Sequence, residues 1–146
     1  MHIVIGNDHA GPKLKEVIKE HLQSKGHEVS DLGVKEGEKI DYPIIAKEVA
    51  LKVRNKEADL GIIICGTGIG VSISANKVKG IRAACVSEPY SAKLAREHND
   101  ANILCFGARV VGEELAKMIV DEFIAASFLG DRHQRRVDLI KAIEEE

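Results

Sequence analysis

A chain of 146 residues with 45% apolar and 30% charged side chains is long enough to bury a core and too apolar to stay disordered. Its 21 basic and 23 acidic side chains leave a net charge of −2, which argues against a nucleic-acid surface or an anchor on anionic lipid. No apolar run approaches the roughly 20 residues of a membrane span, and Met1–Gly6 lacks the basic start of a secretory signal.

Apolar runs and helical repeats alternate along the chain and predict five strands and six helices. The first strand covers 2–6, and the helix over 11–25 has Pro12 in its first turn and Gly26 at its stop. Further strands are predicted over 27–32, 60–65, 81–86 and 101–106, and further helices over 41–55, 69–78, 89–97, 113–126 and 131–145. The third strand, Leu60 to Cys65, is a continuous apolar run, which is typical of a strand buried on both faces.

Five consecutive strand–helix units predict a parallel sheet, because each parallel connection must cross over a face of the sheet. The predicted fold is α/β: a three-layer α/β/α sandwich around a doubly wound, five-stranded parallel sheet, Rossmann-like, with an extra C-terminal helix. No linker or repeat divides the sequence, so we expect a single domain over residues 1–146. In such sheets ligands bind beyond the carboxyl ends of the strands. The loops that follow strands are therefore the places to look for function.

The three cysteines, Cys65, Cys85 and Cys105, match neither a disulfide framework nor a zinc-ligand spacing. We expect Cys85 and Cys105 to be buried small side chains in a reducing, cytoplasmic compartment. Cys65 differs because a glycine-rich turn and a predicted helix follow it. A thiol at the start of a helix is biased toward the thiolate, so Cys65 is a candidate base or nucleophile.

The turn Cys65-Gly66-Thr67-Gly68-Ile69-Gly70 contains three alternating glycines and the only threonine of the chain. Glycines allow close approach of the backbone to a ligand, and free amides at a helix start receive an anion such as a phosphate or an oxyanion. The pattern is neither a dinucleotide fingerprint, which follows the first strand, nor a Walker A loop. A glycine-rich turn without a ligand is the alternative interpretation.

Two other loops that follow strands carry candidate side chains. Asp8 and His9 lie between Gly6 and Gly11, where they could bind substrate hydroxyls or move protons; alternatively, Asp8 only caps the next helix. Arg109 follows the fifth strand and could meet an anionic ligand, or it could be an ordinary surface arginine.

His98 precedes the fifth strand, and its position is equally well explained by a favourable interaction with a helix C-terminus. In the last predicted helix, Arg132, Arg136, Ile140 and Ile143 share one face. Two guanidinium groups one turn apart on a docking face form a plausible phosphate clamp.

Seven segments between Asn7 and Gln134 carry a resemblance to a known family. They are Asn7-Asp8-His9, Asp41-Tyr42-Pro43, Cys65-Gly66-Thr67-Gly68-Ile69-Gly70, Ser87-Glu88-Pro89-Tyr90-Ser91-Ala92, His98-Asn99-Asp100, Phe106-Gly107-Ala108-Arg109-Val110-Val111-Gly112 and Arg132-His133-Gln134. Together they resemble the ribose-5-phosphate isomerase B family, which includes galactose-6-phosphate and allose-6-phosphate isomerases. The resemblance runs nearly from end to end.

This resemblance implies an aldose–ketose isomerase of the pentose phosphate pathway, which interconverts ribose 5-phosphate and ribulose 5-phosphate through ring opening and an enediolate. It implies that Cys65 is the base and that His98 is the ring-opening acid. Some family members replace the cysteine with a glutamate a few residues further on, but here Ala75 and Asn76 occupy that region without an acid.

The remaining implied roles concern substrate binding. Thr67 and the amides of Gly66, Gly68, Ile69 and Gly70 would form the anion hole, Asp8, His9, Tyr42 and Asn99 would contact the sugar, and Arg109, Arg132 and Arg136 would bind phosphate. Neither a metal nor a cofactor is expected. Family members are homodimers with shared active sites, and the sequence leaves dimer and tetramer open.

Three alternatives stay open at this point. Allose 6-phosphate or galactose 6-phosphate could be the substrate, because the sequence does not reveal the shape of the sugar pocket. A non-catalytic sugar-phosphate or nucleotide-binding module could use the same turn without needing Cys65 or His98. A flavodoxin-like electron carrier is disfavoured, since no Trp and only two Tyr are available to flank a flavin.

Overall fold

The computed structural model of the protein describes all 146 residues and contains one five-stranded sheet and six helices. The strands are β1 (His2–Asn7), β2 (Glu28–Asp31), β3 (Leu60–Cys65), β4 (Ala83–Cys85) and β5 (Ile103–Gly107). The helices are α1 (Pro12–Ser24), α2 (Tyr42–Arg54), α3 (Ile69–Ala75), α4 (Pro89–Asn99), α5 (Glu113–Ala125) and α6 (Arg132–Ile143).

All strand pairs are parallel, and the order across the sheet is β2-β1-β3-β5-β4. The chain moves from β1 outward to β2 and then returns to the other side of β1 for β3. This reversal opens a crevice at the carboxyl ends of β1 and β3, where ligands bind in doubly wound sheets. The predicted three-layer sandwich with an additional C-terminal helix is confirmed.

The strand β3 forms the centre of the molecule, and all six of its residues are buried as the apolar run predicts. Leu60, Ile62 and Ile64 face one core together with α1, α4 and α5. Ile63 and Cys65 face the other core, which α2 and α3 cover. This alternation places the Cys65 side chain on the α2–α3 side of the sheet.

Several elements are shorter than the sequence predicts, and helix α3 and strand β4 differ for one shared reason. Helix α3 ends at Ala75 instead of continuing to residue 78, and β4 has three residues instead of six. The Asn76 side chain explains both ends, because its Oδ1 accepts the Ala83 N–H (2.8 Å) and its Nδ2 donates to the Ala83 carbonyl (2.9 Å). Asn76 therefore closes the helix and pairs with the edge strand as a neighbouring peptide would.

Helix α6 packs on the body of the chain through His133 and Val137, which are its two buried residues. Arg132, Arg136, Ile140 and Ile143 are exposed, so the face expected to dock is open in this chain. The carboxylate of Glu144, just beyond α6, accepts the Gly80 N–H at 3.1 Å and holds the C-terminal end. None of the six helices combines the length and the apolar content that crossing a membrane demands.

Candidate active site

The glycine-rich turn lies at the carboxyl end of β3, in contact with the end of β5. Cys65 pairs with Gly107 in the sheet register, and the Cys65 carbonyl accepts the Ala108 N–H at 2.8 Å. Gly68 has a left-handed backbone (φ 82°), and a Cβ at this position would lie 2.8 Å from the Phe106 backbone. Only glycine fits here, since any side chain would push the turn away from β5.

The Cys65 side chain is 6% exposed and points into this turn. Its Sγ accepts the backbone N–H of Gly68 at 3.1 Å. This hydrogen bond fixes the direction in which the sulfur points within the turn. Thr67 is exposed beside it, with its hydroxyl accepting the Ile69 N–H at 3.2 Å. The turn thus presents a thiol and a hydroxyl on one rigid piece of backbone.

Asp8 lies beside Cys65 across the crevice between β1 and β3. The Asp8 N–H donates to the Ile64 carbonyl at 3.2 Å, which continues the ladder one residue past the strand. One Asp8 oxygen accepts the Ala10 N–H at 2.9 Å, so the carboxylate closes its own turn and does not cap α1. Its other oxygen makes no hydrogen bond within the chain, and His9 next to it is exposed.

Tyr42 and Arg109 complete this edge of the sheet. The Tyr42 ring lies against Gly70, where the space for a Cβ is filled by the ring. The Arg109 guanidinium lies over Gly66, with Nη1 3.3 Å from the position of a Gly66 Cβ, and the Arg109 N–H donates to the Gly66 carbonyl. Arg109 is exposed and makes no ion pair within the chain, so its charge is free to meet an anion.

The loop that leads to Tyr42 is held by a buried lysine. Lys15 on α1 is 2% exposed, and its Nζ donates to both Asp31 oxygens (3.2 and 3.0 Å) and to the Val34 carbonyl (3.4 Å). Burial alone would raise the pKa of Asp31, but hydrogen bonds from Lys15 and the Gly33 N–H outweigh it and lower that pKa. The role of Lys15 could not be predicted, because no neighbouring residue in the sequence distinguishes it from Lys13 and Lys19 on the same helix.

A second group of predicted residues lies at the end of α4 and the start of α6. The His98 and His133 rings stack with centroids 4.1 Å apart and an interplanar angle of 12°. His133 is 6% exposed, and burial, followed by the charges of His98, Arg132 and Arg136, lowers its pKa. The sequence analysis quoted His133 but assigned it no role. The spacing of His133 and Val137, one turn apart, was the signal for the buried face of α6.

Arg132 and Arg136 lie on the exposed side of α6 next to this stack. Neither forms an ion pair with an acidic side chain of the chain. Asn99, the last residue of α4, is also exposed. The second group therefore offers two imidazoles, a side-chain amide and two unpaired guanidinium groups.

The two groups lie at opposite ends of the sheet. Cys65 is the last residue of β3, whereas His98 and Asn99 precede β5, which begins at Ile103. Helix α4 has eleven residues, about 16 Å, and carries the chain from the carboxyl end of the sheet back to the amino end. We call the carboxyl-end residues the thiol cluster: Asp8, His9, Tyr42, Cys65, Gly66, Thr67, Gly68, Ile69, Gly70 and Arg109. The amino-end residues form the imidazole cluster: His98, Asn99, Arg132, His133 and Arg136.

Exposed apolar side chains lie close to both clusters. Ile69 and Ile73 project from the outer face of α3, one turn apart and next to the thiol cluster. Leu139, Ile140 and Ile143 are exposed on the second half of α6, beyond the arginines. Such neighbouring apolar side chains are typical of a protein–protein contact surface.

Cys105 is buried as expected, but the expectation for Cys85 was wrong, since Cys85 is exposed. It ends a strand of three residues at the edge of the sheet, not a strand of six, and it belongs to neither of the two cores. Its thiol lies 3.7 Å from the Thr67 carbonyl, close to the thiol cluster. Partial burial, with the nearby Cys65, raises the pKa of Cys85. No group of three or more His, Cys, Asp or Glu side chains has the geometry to hold a metal ion.

Comparison with known proteins gives consistent results over nearly the whole chain. Residues 3–140 match the Ribose/Galactose Isomerase family. The sequence is 57% identical over 143 residues to ribose-5-phosphate isomerase B of Escherichia coli (strain K12), covering 98% of this chain and 96% of that protein.

Two solved structures are also similar to this chain. Ribose-5-phosphate isomerase B of Clostridium thermocellum superposes with a TM-score of 0.97 at 52% identity, covering 99% of this chain and 98% of that one. Ribose-5-phosphate isomerase B of Mycoplasma genitalium, solved with bound ribulose-5-phosphate, has a TM-score of 0.92 at 49% identity and covers 99% and 97% of the two chains.

Proposed function

Because the chain belongs to the ribose/galactose isomerase family, we propose that it interconverts ribose 5-phosphate and ribulose 5-phosphate through ring opening and an enediolate. The observation that carries this proposal is the Cys65 thiol, which accepts the Gly68 amide inside a rigid turn beside Thr67 and Asp8. We propose further that residues 1–146 form one isomerase domain. Three unpaired thiols fit a reducing compartment, so a cytoplasmic location belongs to the same proposal.

The thiol cluster supplies what proton transfer between neighbouring carbons requires. The Cys65 thiolate removes the C2 proton of the open-chain aldose and returns a proton to C1, which yields the ketose. Negative charge develops on the substrate oxygens between these steps, and Thr67 stabilises it together with the amides of Gly66 and Gly70, which have no acceptor within the chain. The Gly68 and Ile69 amides, which the resemblance also implied, already donate to Cys65 and Thr67. Asp8 and Tyr42 border the same crevice and orient the hydroxyl groups of the sugar.

The imidazole cluster supplies ring opening and additional phosphate binding. His98 gives a proton to the ring oxygen of the cyclic sugar, and Asn99 contacts the sugar beside it. Arg132 and Arg136 bind the phosphate of the substrate, together with Arg109 of the thiol cluster. The phosphate does not take part in the reaction, but binding it orients C1 and C2 of the sugar, which do react.

A homodimer unites the two clusters, which a single chain holds at opposite ends of the sheet. In this proposal the thiol cluster of one copy faces the imidazole cluster of its partner, so each dimer has two complete sites. The exposed apolar residues of α3 and α6 would be covered by the contact.

The proposal is tested by a coupled isomerase assay with ribose 5-phosphate as the substrate and Cys65→Ser as the control. We expect turnover by the native chain and almost none by the variant, because a hydroxyl is a far weaker acid than a thiol and does not ionise at neutral pH. A native chain that binds ribose 5-phosphate but does not convert it would support the non-catalytic binding module instead.

Mixing two impaired variants tests the shared site, with ribose 5-phosphate well below the native KM so that the weaker binding of Arg136→Ala also slows turnover. A dimer of one Cys65→Ala chain and one Arg136→Ala chain contains one doubly altered site and one site with both native residues. With random pairing about a quarter of the native site activity returns. A mixture proven to contain the mixed dimer but no more active than the two parent variants together would place Cys65 and Arg136 in the same chain's site.

A galactose phosphate is the second candidate substrate, since the family to which the chain belongs is described by both ribose and galactose isomerisation. The same assay with galactose 6-phosphate and allose 6-phosphate decides between them through kcat/KM. A higher kcat/KM on a hexose phosphate than on ribose 5-phosphate would replace the pentose by that hexose in the proposal.

A further inference from the structure

The C-terminal end of α4 is held by hydrogen bonds from Arg82, a residue that has no part in the proposed chemistry. Arg82 Nε donates to the carbonyls of Asn99 (3.0 Å) and Asp100 (3.1 Å). Its Nη2 donates to the Asp100 carbonyl (2.9 Å) and to the Asp100 carboxylate (3.1 Å). The Arg82 side chain is 14% exposed and immediately precedes β4, so this contact joins two separate parts of the chain.

The backbone at this helix end needs external support. Asp100 ends the helix in a left-handed conformation, φ 47° and ψ 43°, so the chain turns sharply away from the helix axis at this residue. The last carbonyls of any helix lack partners within that helix. Arg82 supplies donors to two of these carbonyls and places a positive charge at the negative end of the helix dipole.

Two further side chains, those of Arg96 and Asn102, form hydrogen bonds around the contact between Arg82 and the end of α4. Arg96 Nη1 donates to the second Asp100 carboxylate oxygen (3.4 Å) and to the Ala101 carbonyl (2.6 Å). The Asn102 side chain accepts the Arg82 N–H (2.9 Å) and donates to the Gly80 carbonyl (2.9 Å). The Arg82 backbone is thus fixed by Asn102, and its side chain extends from this fixed position to the end of α4.

We propose that Arg82 is a positioning residue for the isomerase reaction, which holds His98 where it can act on the sugar bound by a partner copy. This inference rests on the proposed function, including the role of His98. His98 and Asn99 are the last two residues of α4, and the Asn99 carbonyl is itself held by Arg82. Loss of the Arg82 hydrogen bonds lets the end of α4 fray and moves His98. A displacement of about 1 Å at a catalytic group can lower the rate about a hundredfold.

The test compares Arg82→Gln with the native chain in two assays. One is conversion of ribose 5-phosphate, which requires ring opening. The other is exchange of the C1 proton of ribulose 5-phosphate in D2O by NMR, which needs Cys65 but no ring opening, because ribulose 5-phosphate is an open chain. We expect Arg82→Gln to lower kcat for conversion by about tenfold or more, with near-native exchange and KM.

Combining substitutions separates positioning from a general loss of structure. If Arg82 acts through His98, the double variant Arg82→Gln/His98→Asn is no slower than His98→Asn alone. The matched control is Arg54→Gln, an exposed arginine bonded only to the neighbouring Asn55, and it leaves both assays unchanged. If Arg82→Gln does not fold, Arg82→Lys takes its place, because lysine keeps the charge but not the planar donor pair.

The outcomes distinguish this inference from the function on which it rests. A native chain without isomerase activity overturns the proposed function. An active native chain whose Arg82 variants convert ribose 5-phosphate at the native rate overturns the positioning role. Equal losses in conversion and exchange, or additive losses in the double variant, overturn it as well, since both would mean that Arg82 supports the whole fold.

Discussion

The thiol cluster and the imidazole cluster are built by different means. The thiol cluster follows buried strands, and backbone contacts between Gly66, Gly68 and the end of β5 fix its geometry. The imidazole cluster consists of side chains at the ends of two helices, and its arginines are exposed and unpaired. Proton transfer between adjacent carbons tolerates little displacement, whereas a phosphate can be reached by long side chains. The comparison indicates that proton transfer between the carbons depends on fixed backbone at the centre of the sheet, whereas phosphate binding depends on long side chains at its periphery.

Removing the base should have the largest effect. We expect Cys65→Ala to lower kcat about a thousandfold or more while leaving substrate affinity close to the native value. The thiol acts only in the chemical step, so binding to the phosphate and hydroxyl groups survives. Steady-state kinetics and calorimetric titration of the variant with ribose 5-phosphate measure the two quantities. Near-native turnover would remove Cys65 from the mechanism.

His98→Asn should have the next largest effect, and only on the cyclic sugar. We expect conversion of ribose 5-phosphate to slow about a hundredfold, while C1 proton exchange of open-chain ribulose 5-phosphate stays near native. The two assays on the same preparation make the comparison. Equal losses in both would assign His98 a structural role, such as stacking on His133.

The arginines of α6 should affect binding more than turnover. A charge-assisted contact to phosphate is worth about 1.5–3 kcal/mol, so Arg132→Ala or Arg136→Ala should raise KM about tenfold or more. Arg135→Ala is the matched control, since Arg135 lies on the same helix and is also exposed. An equal rise in KM for Arg135→Ala would show that only the overall positive charge matters.

The smallest effect concerns stability in acid. The pKa of His133 is lowered in the folded chain, so the unfolded chain binds more protons below about pH 6.5. The resulting stability is present above that pH and is lost as the pH falls. We expect His133→Gln to lose less stability than the native chain between pH 7 and pH 5.5, measured by urea unfolding. Parallel losses in both chains would contradict the shifted pKa.

Much of this architecture follows from local sequence patterns. The apolar run of β3 and the proline-initiated helices α1, α2 and α4 were predicted because their signals lie within a few neighbouring residues. The opposite placement of Cys65 and His98 is also implicit in the sequence, since one ends a strand and the other precedes one.

Other features depend on distant parts of the chain and could not be predicted. One such feature is the order of β4 and β5 in the sheet, which places β4 with its exposed Cys85 at the edge. The buried face of α6 is another: His133 docks because His98, 35 positions earlier, stacks on it. The residue pattern of α6 favoured the face with Arg132 and Arg136 instead, since periodicity does not reveal which surface receives a helix.

The pairing of Asn76 with the edge strand has a consequence for solubility. An open strand edge is a template for sheet-to-sheet polymerisation, and charged or covered edges are the usual protection. Here one side-chain amide occupies both the donor and the acceptor of Ala83, on a strand of only three residues. Ile69 and Ile73 are exposed on α3, the helix that ends just before Asn76. Because Asn76 occupies the backbone groups of Ala83, these apolar side chains do not lie beside an open strand position to which another chain could add.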